Sequence, residues 1–235
     1  MNSFLVRAYG IIRRPRATFA GLVAVPTWIP AIIATTAVTF VCTAGFLRTD
    51  VGRQALVDQW ERTALAFGRP VDDAGYSRME EMAADGRLTI TYATATTLAG
   101  GPALTLTLAT LLYVMLNRGT GPRASYRQVL AVVCYAAVIL ALRQVVATPI
   151  DYVRESTASP TTAGLLFSMV DETSIAARFL GIIDLFVVWW LIVLAIGVAT
   201  LYRRSARPLL LAFAGVYIAL ALTMALAMAA AGGTT

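Results

Sequence analysis

Five long apolar runs dominate the pattern of polar and apolar positions along this 235-residue chain. A run of about 20 apolar residues is long enough to cross the hydrocarbon core of a bilayer as an α-helix. Because a backbone in lipid must satisfy its own hydrogen bonds, we interpret the runs as helices rather than open strands. Buried helices of a soluble protein would alternate with polar faces, which these runs lack. The pattern therefore predicts an all-α polytopic membrane protein with five transmembrane helices, at about 28–47, 88–116, 129–149, 178–201 and 208–230.

The N-terminal residues 1–27 differ from the membrane domain that we place at 28–230. Apolar side chains alternate there with arginines, which is typical of a short amphipathic helix lying on a membrane surface. Pro15 should break that helix, because proline lacks the backbone N–H that a helix interior uses.

Two longer segments, 48–87 and 150–177, connect the predicted spans on what we take to be the outer side. The first predicts a small helical hairpin. We expect Asp50 to cap its first helix and Ser77 with Glu80 to form a capping box at the second.

The second of these segments contains the apolar stretch 163–170, which is too short to span a bilayer. We expect this stretch to lie in the membrane interface or to dip into it. Asp171, which follows it, resembles a helix cap for the run into the fourth span.

All nineteen basic residues are arginine, and they are unevenly distributed. The segment before the first span and the connections after the second and fourth spans contain ten arginines and no acid, whereas the two intervening segments are net negative. By the positive-inside rule, the N-terminus is cytoplasmic and the C-terminus lies outside. The net charge of +6 is then an orientation signal, and no nucleic-acid partner is expected. The arginines that we place at the inner leaflet, where they can contact anionic lipid headgroups, are Arg13, Arg14, Arg16, Arg118, Arg123, Arg127, Arg203, Arg204 and Arg207.

Two charged residues, Arg143 and Asp184, lie inside the predicted spans. Each is six residues from the outer end of its span, which puts both about 9 Å below the outer boundary at the rise of an α-helix. Burying either charge alone is costly in a membrane. Because the third and fourth spans run in opposite directions, we predict an Arg143–Asp184 ion pair, with either a structural role in helix packing or a functional role in a polar pathway.

The second predicted span contains Gly100, Gly101 and Pro102, which should kink or break the helix near the membrane centre. Such breaks line binding sites in transporters, although a single break is more often a packing kink. Threonines near it should hydrogen bond to their own backbone or to neighbouring helices. The fifth span has small residues at helical spacing, which allow close packing within the chain or a homo-oligomer: Gly215, Ala219, Ala221, Ala225 and Ala229.

Motifs that indicate catalysis or cofactor binding are absent from the sequence. The chain has no histidine, no nucleotide-binding glycine loop and no nucleophile paired with a base. Its two cysteines, Cys42 and Cys134, are typical of small apolar membrane residues. We therefore expect a protein without enzymatic activity, cofactor or metal.

Three stretches of the sequence together resemble the Yip domain family, the Ypt/Rab-interacting proteins and their prokaryotic relatives. They are "RRPRATFAGL" before the first span, "RASYRQVLAVVCYAAV" entering the third, and "SMVDETSIAARFLGIIDLFVVWWLIVLAIGVA" across the fourth. The last is the most specific, and the resemblance covers roughly residues 10–228. Its family-motif positions in this sequence are Leu180, Asp184, Phe186 and Trp189.

This resemblance implies a five-helix membrane domain with a cytoplasmic N-terminus and no catalytic residues. Prokaryotic members of the family resemble accessory membrane proteins associated with ABC-type export systems. The sequence therefore predicts a protein of the prokaryotic cytoplasmic membrane that scaffolds or modulates a membrane complex, or organises lipid. The alternative is a small-solute or lipid transporter or channel that uses the Gly100–Pro102 break and the Arg143/Asp184 pair.

Overall fold

The computed structural model describes residues 4–118, 123–156, 159–166 and 174–231. Within these ranges the chain is helical, with no strand and one isolated β-bridge. A π-helix, Thr94–Gly100, lies between α6 and α7. The α-helices in chain order are α1 (Phe4–Arg13), α2 (Pro15–Ala24), α3 (Ile29–Leu47), α4 (Asp50–Ala66), α5 (Asp73–Ala84), α6 (Gly86–Ala93), α7 (Gly101–Asn117), α8 (Tyr126–Ala136), α9 (Val138–Arg154), α10 (Ala163–Leu166), α11 (Ile175–Ile182), α12 (Leu185–Tyr202) and α13 (Ala206–Ala231).

Five helical segments among the described residues are long and apolar enough to cross a membrane. This confirms the predicted all-α chain with five membrane-spanning helices. The orientation of the termini stays a prediction. The five segments are Ile29–Leu47, Gly86–Asn117, Tyr126–Arg154, Leu185–Tyr202 and Ala206–Ala231.

The chain divides into two compact units, of which the first comprises Met1–Thr39, Thr96–Arg143 and Phe186–Gly215. Helix α8 is the centre of its core, since all side chains from Val129 to Ala136 are buried. The N-terminal helices pack on α8. The predicted break is present, because α1 ends at Arg13 and α2 begins at Pro15. The N-terminal segment also contributes to the core through Ile11, Phe19 and Leu22.

The second unit comprises Phe40–Ala95, Gln144–Leu185 and Val216–Thr235. Helices α4 and α5 form the predicted hairpin, and a hydrogen bond of 2.8 Å from Gln54 Nε2 to Tyr76 Oη joins them. A small core lies where α3 ends and α4 passes it, formed by Ala44, Leu47, Leu56 and Ala93.

Both helix caps predicted for the hairpin are wrong. Thr49, and not Asp50, precedes α4, and its hydroxyl accepts a hydrogen bond of 3.0 Å from the N–H of Gly52. Asp50 is the first residue of the helix, where a negative charge favours the positive end of the helix dipole. Asp72 caps α5 by accepting from the N–H of Gly75 at 2.8 Å, so that Ser77 lies inside the helix. The predicted cap at Asp171 lies outside the described residues, as do residues 167–170 of the apolar stretch.

Candidate functional site

The apolar run that contains Asp184 is not one continuous helix. Helix α11 ends at Ile182 and α12 begins at Leu185, which leaves Ile183 and Asp184 between them. The chain at residues 161–163 pairs with this break. The N–H of Leu185 donates to the carbonyl of Thr161 at 3.0 Å, and the N–H of Ala163 donates to the carbonyl of Ile183 at 2.7 Å. The pairing forms an antiparallel β-bridge, which satisfies backbone groups that the helix break leaves open.

The carboxylate of Asp184 is buried, with 4% of the residue exposed. Its Oδ2 atom accepts a hydrogen bond from Ser159 Oγ at 2.9 Å and another from Thr161 Oγ1 at 2.7 Å. Hydrogen bonds to an ionised group are stronger than neutral ones, so the two hydroxyls replace part of the water that the charge loses on burial. Asp184 also directly precedes α12, where the helix dipole favours a negative charge.

Tyr217 of α13 bonds to both sides of the same break. Its hydroxyl accepts from the N–H of Asp184 at 3.1 Å and donates to the carbonyl of Ile182 at 2.8 Å. The Tyr217 side chain therefore satisfies the N–H of Asp184 and the carbonyl oxygen of Ile182, one on each side of the break. We refer to Ser159, Thr161, Asp184 and Tyr217 as the Asp184 cluster.

Gly164 allows the chain that pairs with the break to approach the chain before Asp184. A Cβ atom added at Gly164 would lie 3.1 Å from the Cα atom of Gly181. Such a contact is shorter than most Cβ contacts, so α10 and α11 come together backbone to backbone.

Sequence reasoning selected Asp184 but missed the other members of the Asp184 cluster. The polar run at Ser159–Thr162 contains three hydroxyl side chains in four residues, which is the one signal that could have indicated them. Arg143 belongs to the first unit and Asp184 to the second. The Arg143–Asp184 ion pair stays a prediction.

The family-motif residues occupy the two sides of the helix break. Leu180 lies on α11, before the break. Phe186 and Trp189 lie in the first turns of α12, with ring centroids 5.9 Å apart, and both pack against the core of the first unit.

The second span changes helix type near Gly100 without leaving the helical segment Gly86–Asn117, and the break expected there stays a prediction. The π-helix occupies Thr94–Gly100, and α7 begins at Gly101. Pro102 is thus the second residue of α7, directly after the π-helix, and its ring lacks the N–H that a helix interior uses. Thr94 and Thr105 donate to backbone carbonyls one turn earlier, as expected, at 2.7 and 3.0 Å.

The two units differ sharply in charge. The second unit contains all thirteen acidic residues of the chain, and the first contains none. The nine arginines predicted at the inner leaflet all belong to the first unit, and all are exposed. The arginines of the first unit are Arg7, Arg13, Arg14, Arg16, Arg118, Arg123, Arg127, Arg143, Arg203, Arg204 and Arg207.

The small residues of α13 do not form one exposed stripe. Ala221 and Ala225 are buried inside the chain, and Ala229 is half-buried. Gly215 and Ala219 are exposed. Internal packing thus occupies Ala221 and Ala225, which the sequence left open to either packing or association.

The described residues contain no group of three or more histidine, cysteine or acidic side chains that could hold a metal ion. Both cysteines are free thiols.

The chain matches a protein-family model described as Yip1 domain over residues 9–228. No curated protein and no solved structure matches the chain.

Proposed function

Because the chain belongs to the Yip1 domain family, we propose that this integral membrane protein acts without catalysis, by binding other components of the membrane. Its partner in this proposal is a membrane complex of the prokaryotic cytoplasmic membrane, such as an ABC-type export system, which it scaffolds or modulates. Organisation of the surrounding lipid is the second form of the same role.

The observation that supports this proposal most directly is the uneven burial of the five spans. In the third span, 61% of the apolar stretch is buried inside the chain, and in the fourth span 50% is buried. In the first, second and fifth spans the buried share is 11%. In lipid, helices associate by packing and polar contacts rather than by the hydrophobic effect. The three exposed spans therefore remain available to lipid or to the helices of a partner.

The charges of the first unit support a partner with acidic groups. Its exposed arginines meet no acidic residue within their own unit. Under the predicted topology they face the cytoplasm, where anionic headgroups or an acidic surface of a partner protein would attract them.

Site-specific photo-crosslinking in native membranes tests the proposal. A photoreactive residue at Leu220, which is 64% exposed on α13, should form a discrete adduct with another membrane protein. The same residue at Leu194, which is buried in the first unit, is the matched control and should form none. Mass spectrometry of the adduct would identify the partner. Adducts with lipid alone would contradict a protein partner, and an adduct with a second copy would indicate a homo-oligomer that uses the exposed Gly215 and Ala219.

We propose transport of a small solute or lipid as the second candidate, and two observations favour it. Helix breaks with polar groups inside the membrane are typical of transporter binding sites. The break at Ile183–Asp184, directly before the fourth span, carries a buried carboxylate with two hydroxyls, and the second span contains a π-helix. π-helical turns frequently occur at functional sites.

Flux measurements in liposomes distinguish transport from binding. In the transport proposal, Asp184→Asn should abolish solute or lipid flux while the purified variant still inserts into liposomes. Equal flux with wild type, with the variant and with empty liposomes would exclude it for the solutes tested.

A further inference from the structure

The second unit contains a cavity of about 250 Å³ at a boundary between membrane and water. It lies where the first span ends at Leu47 and where the second begins at Gly86. A 19-residue helix has about the length of the hydrocarbon core, so its end lies at the depth of the lipid headgroups. The cavity therefore opens at the depth of phosphate groups.

The walls of the cavity combine apolar side chains with two arginines. Ala44, Leu47 and Ile90 supply the apolar part; the first two belong to the small core of the second unit, and Ile90 packs against it. Arg48 and Arg53 supply the charged part. A surface with acyl-compatible side chains beside guanidinium groups matches the junction between a lipid tail and its headgroup.

The two arginines differ in how far their charges are already paired. Arg53 forms an ion pair with Asp50 and donates to the carbonyl oxygen of Arg48 at 3.0 Å. The Asp50 side chain is 97% exposed, so water and salt screen this pair. The Arg48 guanidinium forms no hydrogen bond or ion pair with any residue that the structure describes.

An acidic side chain next to the lining residue Gly86 serves as a helix cap. Asp85 directly precedes Gly86, and its carboxylate accepts from the N–H of Arg87 at 2.8 Å as the cap of α6. Among the residues that the structure describes, Arg48 is thus the cavity cation whose charge is not already paired, whereas Arg53 shares its charge between Asp50 and a ligand.

We propose that this cavity binds an anionic glycerophospholipid, with the phosphodiester on Arg48 and Arg53 and an acyl chain along Ala44, Leu47 and Ile90. The planar guanidinium matches phosphate oxygens with two parallel hydrogen bonds. The site rests on the proposed function only in that both place the chain in a bilayer. Its test uses the purified protein and needs no partner, so either proposal can fail alone.

Lipid retention by the purified full-length chain, measured by native mass spectrometry after titration with phosphatidylglycerol, tests the charged part of the site. Arg48→Gln should weaken retention by about tenfold or more, because it removes the guanidinium charge and at least one charge-assisted hydrogen bond to the phosphodiester. The control is Arg69→Gln, which removes an exposed arginine of the same unit that does not line the cavity. Equal retention by wild type and Arg48→Gln would overturn the proposal.

A second variant tests the volume of the site without removing charge. A Cβ atom at Gly86 would meet no atom within 4 Å, so Gly86→Trp can fill the cavity without a clash at its Cβ atom. Gly45→Trp is the matched control, because Gly45 is equally uncrowded on the first span but does not line the cavity.

We expect Gly86→Trp to displace the retained lipid and Gly45→Trp to keep it, with both variants showing the wild-type elution volume on size exclusion. Retention unchanged in Gly86→Trp would overturn the site. Inorganic phosphate and phosphatidylcholine serve as competing probes. If inorganic phosphate binds as tightly as phosphatidylglycerol does, the ligand is not a lipid. If phosphatidylcholine is retained as well as phosphatidylglycerol, the site does not select an anionic headgroup.

Discussion

Thr161 binds Asp184 and the residue after it at once. Its hydroxyl donates to Asp184 Oδ2 at 2.7 Å, and its carbonyl oxygen accepts from the N–H of Leu185 at 3.0 Å. The break between α11 and α12 and the burial of a carboxylate thus depend on the same residue. Neither feature is stable alone, because a helix end in an apolar environment leaves polar backbone groups open and a buried charge needs donors.

Thr161→Val should destabilise the protein. Valine has nearly the same shape but no hydroxyl, so Asp184 Oδ2 keeps the donor at Ser159 and loses the one at Thr161. The loss of a hydrogen bond to a charged group should lower the free energy of unfolding by about 1.5–3 kcal/mol. Thermal unfolding in detergent measures this.

Thr91→Val is the control for that experiment. Thr91 is exposed, and among the described residues its hydroxyl bonds to a carbonyl of its own helix alone, that of Arg87, at 2.7 Å. The Thr91→Val variant should therefore unfold at the same temperature as wild type. If both variants unfold together with wild type, the Thr161 hydroxyl does not stabilise the break.

The spans were predictable from the sequence because the bilayer imposes the length and polarity of a crossing helix. The break at Ile183–Asp184 was not predictable in the same way, because it lies inside an apolar run that has the length and polarity of a crossing helix. Residues 179–197 are almost wholly apolar, with a single carboxylate, and no proline marks the break. The break depends on a partner segment about twenty residues earlier in the chain, at Thr161–Ala163. Such a tertiary contact leaves no periodic signal in either segment.

Helix boundaries were less predictable for a local reason. Thr49 and Asp50 are adjacent, and both residue types are good helix caps, so the sequence does not decide between them. The backbone selects Thr49, whose N–H also donates to the carbonyl of Phe46 at 3.0 Å at the end of α3. The third span similarly continues through Pro149 to Arg154. Within the membrane a helix can continue past proline when other groups satisfy the freed carbonyl.

The ion pair predicted from the matching depths of Arg143 and Asp184 can be tested by a double-mutant cycle. If it forms, Arg143→Gln and Asp184→Asn should each lower the unfolding temperature, and the double variant should lose less than the sum. The expected coupling energy is about 0.5–3 kcal/mol. A cycle of Asp184→Asn with Arg118→Gln, an exposed arginine, is the control and should be additive. Additivity in both cycles would exclude the pair.

Gly197 is the position on α12 where any side chain should disturb the core of the first unit. A Cβ atom there would lie 2.7 Å from Val132 Cγ1 and 2.9 Å from Phe19 Cζ, both of which are buried. Overpacking of this kind costs about 1–3 kcal/mol. This cost should exceed the stabilisation of roughly 1 kcal/mol that alanine gives relative to glycine in a helix interior. Gly197→Ala should therefore unfold at a lower temperature than wild type.

Gly215→Ala, on the next helix α13, is the matched substitution and should not destabilise the protein. A Cβ atom at Gly215 would meet nothing within 4 Å, so the helix propensity of alanine should raise stability slightly or leave it unchanged. Equal destabilisation by both substitutions would show that the loss at Gly197 is not a packing effect.

The separation of charge between the two units makes the topology testable by chemical labelling. The first unit contains no acidic residue, and the second contains all thirteen. Because arginine is retained on the cytoplasmic side, the connection between α12 and α13 should lie inside, and the hairpin of α4 and α5 should lie outside. The test uses single cysteines at Thr63 and Ser205, both exposed, in a chain with Cys42→Ala and Cys134→Ala.

A membrane-impermeant maleimide should label Thr63→Cys in intact cells, and should label Ser205→Cys only after the membrane is permeabilised. Labelling of the denatured protein is the control for thiol reactivity at both positions. The reversed pattern would mean that the arginines of the first unit face outward. In that case they could not meet a cytoplasmic partner, and the lipid cavity at Arg48 would belong to the inner leaflet instead of the outer one. One labelling experiment therefore decides on which side of the membrane each proposed surface must find its ligand.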